Sequence, residues 1–412
     1  MISKKLINWW FTDLPEVHRK LDLKGKTLWK KIRFVLLCWL IHPIKRRVAK
    51  YYLVFLQRFF GLNVIGITGS TGKTTTKEMI ASILRQKGKT VVSYANIDPV
   101  YNIPTTILKC TPNTKYLVLE MGVEYPREMD FYLWLARPSI GVITNISVTH
   151  TQFLKNVAGV LREKCKLVES LGKQNFAVLN KENSFLLNIS DKIKAQLVWF
   201  GENSQVSAKR IGIDENLGSF YTLSIGKQNL KIILPVVGRQ FVSDSLAAAA
   251  TSHILGASLV QIKNGLERFQ SLEHRMQLKR LKSGTLIIDD TYNNNPAAAI
   301  ESLKTLKSMA KDKKIIIVMG DMLELGKLEA QAHKEIGSFI GSLTPFFLIT
   351  VGQASKILVA EAREKIGWEK AVWVESEEEI MPFLTPYLTD KSIILIKGSR
   401  AIGLDKLVER LS

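Results

Sequence analysis

Residues 69–75 read Gly69-Ser70-Thr71-Gly72-Lys73-Thr74-Thr75, a grouping that suits one chemistry, the holding of a polyphosphate. Backbone N–H groups of a glycine turn can wrap phosphate oxygens, and a helix N-terminus behind it adds positive potential. Lys73 can reach the terminal phosphates, and the Thr74 hydroxyl can ligate Mg²⁺. The strict G-x4-GK[ST] spacing is not met, because Gly66 lies one position too early and Gly69 too late. Context carries the assignment instead. Residues 64–68 (VIGIT) have the apolar run of a buried strand and residues 75–87 the period of a helix, so the turn sits where a strand feeds a helix. Glu120 closes a second apolar run, YLVLE, at the strand end where open α/β sheets place their ligands.

Such strands need a sheet around them. The 412 residues, 46% hydrophobic and 23% charged, are enough for two or three domains and exclude a disordered or fibrous chain. From Asn63 onward short apolar runs alternate with helical periods: a strand at 176–179, a β-rich stretch at 208–237 turning at 214–218, and an Ala-rich helix at 241–256. Near residue 272 the alternation restarts, with strands at 286–289, 315–319, 346–351, 371–374 and 393–396. Regular strand–helix alternation implies doubly wound parallel sheets. The expected class is α/β: a P-loop central ATPase domain over 61–271, a Rossmann-like doubly wound domain over 272–412, and a short basic helical segment over 1–60. Cys38, Cys110 and Cys165 are far apart in sequence and form no metal-ligand or disulfide pattern, which suits a reducing cytosol.

Further groups follow the TGSTGKTTT run in order. They are NIDPVYNIP (96–104), Leu119-Glu120-Met121-Gly122, Thr144-Asn145-Ile146 with His150, and Arg162-Glu163-Lys164-Cys165-Lys166-Leu167. After these come His274-Arg275, DDTYNNNP (289–296), GDMLELG (320–326) with His333, and Lys397-Gly398-Ser399-Arg400. The set resembles the Mur ligase family, ATP-dependent amide-forming enzymes of peptidoglycan precursor synthesis, over about residues 63–412. Its last three groups look most like the branch that adds D-alanyl-D-alanine. The resemblance implies that the ATP γ-phosphoryl group activates a carboxylate as an acyl phosphate, which an amine then attacks. A site for that must neutralise phosphate charge and bring two anions together.

The resemblance also assigns roles. Thr74 and Glu120 would hold one Mg²⁺ and His150 a second, with Lys73, His150 and Lys164 as the catalytic set. Lys164 would be carbamylated by CO₂ and join the second metal. An ammonium about 4 Å from Mg²⁺ is repelled by roughly 8 kcal/mol at an effective dielectric of 20, and the carbamate reverses the sign. Lys166 leaves the register of that lysine open. Arg275, Asn293 and Asn295 would approach ATP alongside the turn residues. Asn96, Asn102, Lys397, Ser399 and Arg400 would contact the substrates, a carboxylate-bearing peptidoglycan precursor and an amino acid or dipeptide. Two asparagines of the family's pattern stand here as Phe241 and Asp244, and Asp98 and Asn102 replace its Asn and Gly in the earlier loop. His18, His42 and His253 read as structural.

The net charge of +21 is concentrated: residues 1–60 hold 14 Lys/Arg against 3 Asp/Glu, or +11, which leaves +10 for the other 352 residues. Within that segment an apolar run at 34–44 is bracketed by Lys30, Lys31, Arg33 and by Lys45, Arg46, Arg47, and Gln57 and Arg58 break a second run at 51–60. Neither run reaches the about 20 residues of a membrane span. The start carries no cleavage site of a secretory signal. Four of the eight tryptophans lie here too, and Trp, Lys and Arg beside short apolar runs make the composition of a membrane-interface segment. An anionic membrane surface is thus one expected partner, with the protein cytoplasmic and peripheral at the inner face. The other reading is a pair of helices packed on the body. No nucleic-acid module is visible, and no nucleic-acid partner is expected.

Residues 1–60 are too short and basic to look like the family's amino-terminal UDP-binding domain. Two other functions therefore stand beside the D-alanyl-D-alanine ligase. One is a Mur-like ligase with a different carboxylate acceptor, membrane-borne or without a nucleotide. The other is a non-catalytic nucleotide-responsive protein at the membrane, against which the full set of Lys73, Thr74, Glu120, His150 and Lys164 argues.

Overall fold

A computed structural model describes residues 10, 14–19, 29, 36–94 and 98–412. Nine strands form the first sheet: β1 (Asn63–Thr68), β2 (Thr90–Val92), β3 (Tyr116–Glu120), β4 (Ile140–Ile143), β5 (Phe176–Asn180), β6 (Gln196–Phe200), β7 (Val206–Ile213), β8 (Ser219–Ile225) and β9 (Gln228–Leu234). Their order is β2-β3-β1-β4-β5-β6-β7-β8-β9, parallel from β2 to β7 and antiparallel from β7 to β9. The central strands are apolar on both faces because helices cover both. The chain leaves β1 toward β2 and β3 on one side and returns to β4 on the other. That reversal opens a crevice at the carboxyl ends of the strands, where the phosphate turn and Glu120 emerge.

The second sheet holds β10 (Gln277–Arg280), β11 (Leu286–Asp290), β12 (Lys314–Gly320), β13 (Phe347–Val351), β14 (Ala371–Val374) and β15 (Ser392–Lys397). Its order is β10-β11-β15-β12-β13-β14, and only β10 runs antiparallel. Asp290 and Lys397 are register partners at the carboxyl ends of β11 and β15. Both sheets are thus doubly wound, as the alternation requires.

The helices that position the site are α1 (His42–Phe60), α2 (Lys73–Leu84), α3 (Pro99–Ile107), α4 (Glu128–Leu135), α5 (Val157–Glu169), α6 (Arg239–Ile254) and α7 (Pro296–Ala310). The helix after the phosphate turn begins at Lys73, two residues before the sequence places it. The 96–104 stretch, read as a loop, becomes α3 from Pro99 on, because Asp98 Oδ1 accepts from Val100 N–H (2.8 Å) and Pro99 fits the first turn.

Within the first apolar run π-helical turns over Leu37–Ile41 lead directly into α1, whose second half is the other run at 51–60. Pro43 is tolerated in the first turn of α1, and Gly61, at φ 65°, ends it in the left-handed conformation that suits glycine. One face of α1 buries Ala49, Leu53 and Leu56 in the core shared with Leu14, Val100 and Ile103. Among the described residues no helix is long and apolar enough to cross a membrane.

Candidate functional site

The phosphate turn is braced by the loop after β4. Asn145 Oδ1 accepts the backbone N–H groups of Ser70 (3.1 Å) and Thr71 (2.9 Å), and its amide donates to Thr71 Oγ1 (2.6 Å). Ser70 Oγ accepts from Ser147 N–H at 2.9 Å. Gly72 has φ 79°, and a Cβ there would lie 2.1 Å from Asp244 Oδ1, so only glycine lets α6 come this close. Thr74 and Thr75 are buried in the first turn of α2.

Two lysines converge on a single oxygen. Lys73 Nζ donates to Gly69 O at 3.0 Å and Lys164 Nζ donates to the same oxygen at 2.9 Å. Lys164, on α5, is fully buried, and loss of water together with the charge of Lys73 holds its pKa well below the usual lysine range. Desolvation lowers that of Lys73 too, while Glu120 opposes the shift. Lys166 instead turns outward to Asp130 (2.7 Å) and Glu163 (2.8 Å), so Lys164 is the member of the pair that meets the phosphate turn.

Thr74 Oγ1 donates to Glu120 Oε1 at 3.1 Å, and Glu120 Oε2 lies 3.6 Å from Lys77 Nζ. A hydroxyl and a carboxylate side by side are the hard oxygen donors that Mg²⁺ prefers, and they fit the cation the motif implies. His150 sits apart from that pair, at φ 52°, with Nδ1 2.7 Å from Glu324 Oε2. Its ligand atoms and those of Glu124 and Glu324 all lie within 4.8 Å of one another. Burial raises the pKa of Glu124, against the pull of His150; the hydrogen bond from His150 lowers that of Glu324.

From the second domain Arg275 donates to Thr74 Oγ1 at 3.3 Å, and its guanidinium stacks 4.0 Å above the Tyr292 ring. Asn293 and Asn295 line the same cleft, where Asn295 Oδ1 also caps α7 through Ala298 N–H (3.0 Å). Lys397 is buried and donates to Asp290 Oδ2 (2.6 Å) and to Asn293 O (3.0 Å), which ties β15 to the 290s turn. Ser399 Oγ accepts from Leu323 N–H at 3.1 Å, while exposed Arg400 lies over Tyr292 at 5.6 Å; neither lines the cleft. Asn102 does line the cleft, its amide accepting from Tyr94 N–H (3.2 Å) and donating to the Tyr94 carbonyl (2.8 Å). Asn96 lies outside the described residues.

Lys73, Thr74, Glu120, His150, Arg275 and Asn293 are among the residues lining a cleft of about 1280 Å³. It is also lined by His18, Glu124, Glu128, Asp244 and Tyr292, which the sequence reading did not assign to the site. His18, read as structural, does brace Glu128 (2.6 Å) and at the same time lines the cleft. Nothing in its local sequence marks that position, since the tertiary fold alone brings Val17 and His18 to the cleft.

A cleft with a phosphate-binding turn on one side and a second doubly wound domain reaching its Thr74 from the other defines an ATP-dependent ligase. Comparison with known proteins narrows this. The Mur ligase middle domain matches residues 67–252, and the Mur ligase, glutamate ligase domain matches 274–400. The chain is 33% identical over 353 residues to the UDP-N-acetylmuramoyl-tripeptide--D-alanyl-D-alanine ligase of Buchnera aphidicola subsp. Baizongia pistaciae, covering 84% of this chain and 75% of that one. The crystal structure of MurF from Acinetobacter baumannii superposes with a TM-score of 0.82 at 28% identity, covering 90% of this chain and 80% of the other. MurF from Thermotoga maritima, solved with ADP, shares the fold at 22% identity and TM-score 0.80, with 90% and 83% covered. The chain belongs to the Mur ligase family, whose members form amide bonds at the expense of ATP with Mg²⁺.

Asp244 stands where the family pattern has asparagine. Burial against the phosphate turn raises the pKa of its carboxyl well above the ordinary value, with Arg275 opposing, which disfavours a negative charge set against the phosphates. A group whose folded pKa is raised costs nothing below its unfolded value, about pH 4, and stability falls as pH rises toward the raised value. Asp244→Asn should therefore match the wild-type Tm near pH 4 and exceed it by a few degrees at pH 8, with ADP affinity at pH 7 within about twofold. A lower Tm than wild type at pH 8 would contradict the raised pKa.

Proposed function

We propose that this ligase adds D-alanyl-D-alanine to a UDP-MurNAc-tripeptide-like precursor, with its ATP-handling domain over 61–271 and its amine-bringing domain over 272–412. The observation that carries the reading is the Arg275–Thr74 contact, which joins the second domain to the phosphate turn within a chain similar over 84% of its length to a UDP-N-acetylmuramoyl-tripeptide--D-alanyl-D-alanine ligase. In the first step an acceptor carboxylate oxygen attacks the γ-phosphorus, and the bond to the ADP oxygen breaks. The amine then attacks the acyl carbon, phosphate leaves with the C–O electron pair, and the amine's proton is lost.

Lys73 and the N–H groups of the first turn of α2 orient the phosphates, and Arg275 offsets charge spreading over them. Thr74 and Glu120 would hold a Mg²⁺ that neutralises the phosphates, and His150 a second cation. Mass spectrometry of a mixture with ATP, UDP-MurNAc-tripeptide and D-alanyl-D-alanine should find the pentapeptide product. ADP release only with some other carboxylate would move the function to a different acceptor.

Lys164 is proposed to be carbamylated. Reaction with CO₂ needs a neutral amine, and burial beside Lys73 favours that form. The C–N bond forms as the amine loses a proton, leaving a carboxylate at the end of the lysine. Lys164→Ala should lower kcat at least a hundredfold, and added CO₂ should not restore it; near-wild-type turnover would remove the carbamate from the mechanism.

Peripheral attachment to an anionic lipid surface through residues 1–60 is proposed as well. Ile44, Val48, Tyr51, Phe55 and Phe59 are exposed on the side of α1 opposite to Ala49, Leu53 and Leu56. A helix apolar on both sides calls for a cover on its outer one. The +11 charge of the segment favours anionic lipid over a second copy of itself. Val48→Ser/Phe55→Ser/Phe59→Ser should cut co-sedimentation with phosphatidylglycerol vesicles by about fivefold or more. Equal binding of variant and wild type would rule out this face.

A further inference from the structure

Residues 14–18 lie outside both matched domains, yet Val17 and His18 form part of the wall of the cleft. Leu14 is 2% exposed and shares a core with Leu53 and Leu56 of α1 and Val100 and Ile103 of α3. A turn closed by His18 N–H to Pro15 O (3.0 Å) then presents Val17 and His18 to the cleft. His18 Nε2 lies 2.6 Å from Glu128 Oε1 and Nδ1 lies 3.7 Å from Asp98 Oδ2, while the ring meets Tyr125 edge-on at 5.9 Å.

Glu128 is 3% exposed, and its other oxygen is fully engaged. Oε2 accepts from the backbone N–H of Glu124 (2.7 Å) and of Tyr125 (2.9 Å). A buried carboxylate oxygen without a donor is costly, and the imidazole supplies the donor for Oε1. One ring therefore spans two loops. Through Glu128 it holds the 122–128 loop, whose Glu124 faces His150 and Glu324. Through Asp98 it reaches the cap of α3, next to the stretch that carries Asn96.

Position in the cleft gives this contact its role. Arg275, Tyr292, Asn293 and Asn295 reach the cleft from the second domain, and Glu120 from the tip of β3. Asp98, Glu124, Glu128 and His18 line the same cleft, in which a carboxylate attacking the γ-phosphorus must be held beyond the phosphate turn. We propose that His18 is a positioning residue for the carboxylate acceptor: the amino-terminal strap buttresses, through Glu128, the wall against which the acceptor is oriented. This rests on the ligase reading above only in naming a carboxylate as the occupant.

The test uses the full chain with His18→Ala and His18→Gln, the latter keeping one N–H for Glu128. In nucleotide-free protein, His18→Ala should speed amide hydrogen exchange over residues 122–126 about tenfold while β1 is unchanged, and His18→Gln should stay close to wild type. In turnover, His18→Ala should raise KM for the carboxylate about tenfold with kcat nearly kept and ADP Kd within about twofold, and His18→Gln should recover most of the loss. Unchanged exchange at 122–126 overturns the proposal. So does faster exchange that extends to β1 with weakened ADP binding, which would mark a general structural role. The exchange measurement needs no acceptor. If wild type does not use UDP-MurNAc-tripeptide, the substrate assignment alone fails, and KM is compared with the carboxylate that does support turnover.

Discussion

Two lysine side chains share the Gly69 carbonyl, and the site depends on making that arrangement tolerable. Lys73 and Lys164 approach the same oxygen at 3.0 and 2.9 Å, Lys164 fully buried and Lys73 at the cleft wall. Two ammonium charges so close, one of them out of water, repel each other. The protein responds in two ways. Burial disfavours the charged form of Lys164, and Glu120, Glu124 and Glu128 supply negative potential from the adjoining strand end and loop. A bound polyphosphate would supply more, so a site under strain as a free cation pair is well disposed toward an anion.

That convergence requires α5 to lie very close to the sheet. A Cβ at Gly66 would fall 3.1 Å from Leu167 Cδ1 and 2.8 Å from Pro138 Cγ, and one at Gly141 would fall 3.2 Å from Leu167 Cγ. Bare positions on β1 and β4 therefore let α5 settle against them, and this depth brings Lys164 to the phosphate turn. Gly66, one place too early for the generic phosphate-loop spacing, thus serves helix packing instead of phosphate contact. The spacing mismatch in the sequence and the position of the buried lysine have one cause.

This bears on what could be read in advance. Strand–helix alternation made both doubly wound domains legible, because buried parallel strands are continuous apolar runs whose ends carry polar residues such as Glu120 and Lys397. The phosphate turn and the lysine-bearing helix were legible as local groupings. Illegible were contacts that depend on long-range packing. Asn102 lines the cleft, and the helix start at Pro99 also ties its amide to Tyr94, which its local sequence does not show. Lys397 ends a strand as expected, but its register partner is Asp290, which captures the ammonium. His18 lies 110 residues from Glu128, and no periodicity links them.

The joint between the domains adds a last constraint. Glu324, at φ 63°, and His150, at φ 52°, meet across it, supported by Gln152 N–H to Glu324 O (3.2 Å) and Thr151 Oγ1 to Leu325 O (2.9 Å). A Cβ on Gly326 would come within 3.0 Å of Gln152 Cα, so the two turns touch backbone to backbone. These contacts are few and polar, the kind that can part and re-form as a cleft opens. His150 uses Nδ1 for Glu324, which leaves Nε2 as the nitrogen through which it can take a ligand without releasing the second domain. A ligand that took Nδ1 would have to displace Glu324 and loosen the joint. The nitrogen engaged therefore decides whether filling the site and closing the cleft cooperate or compete.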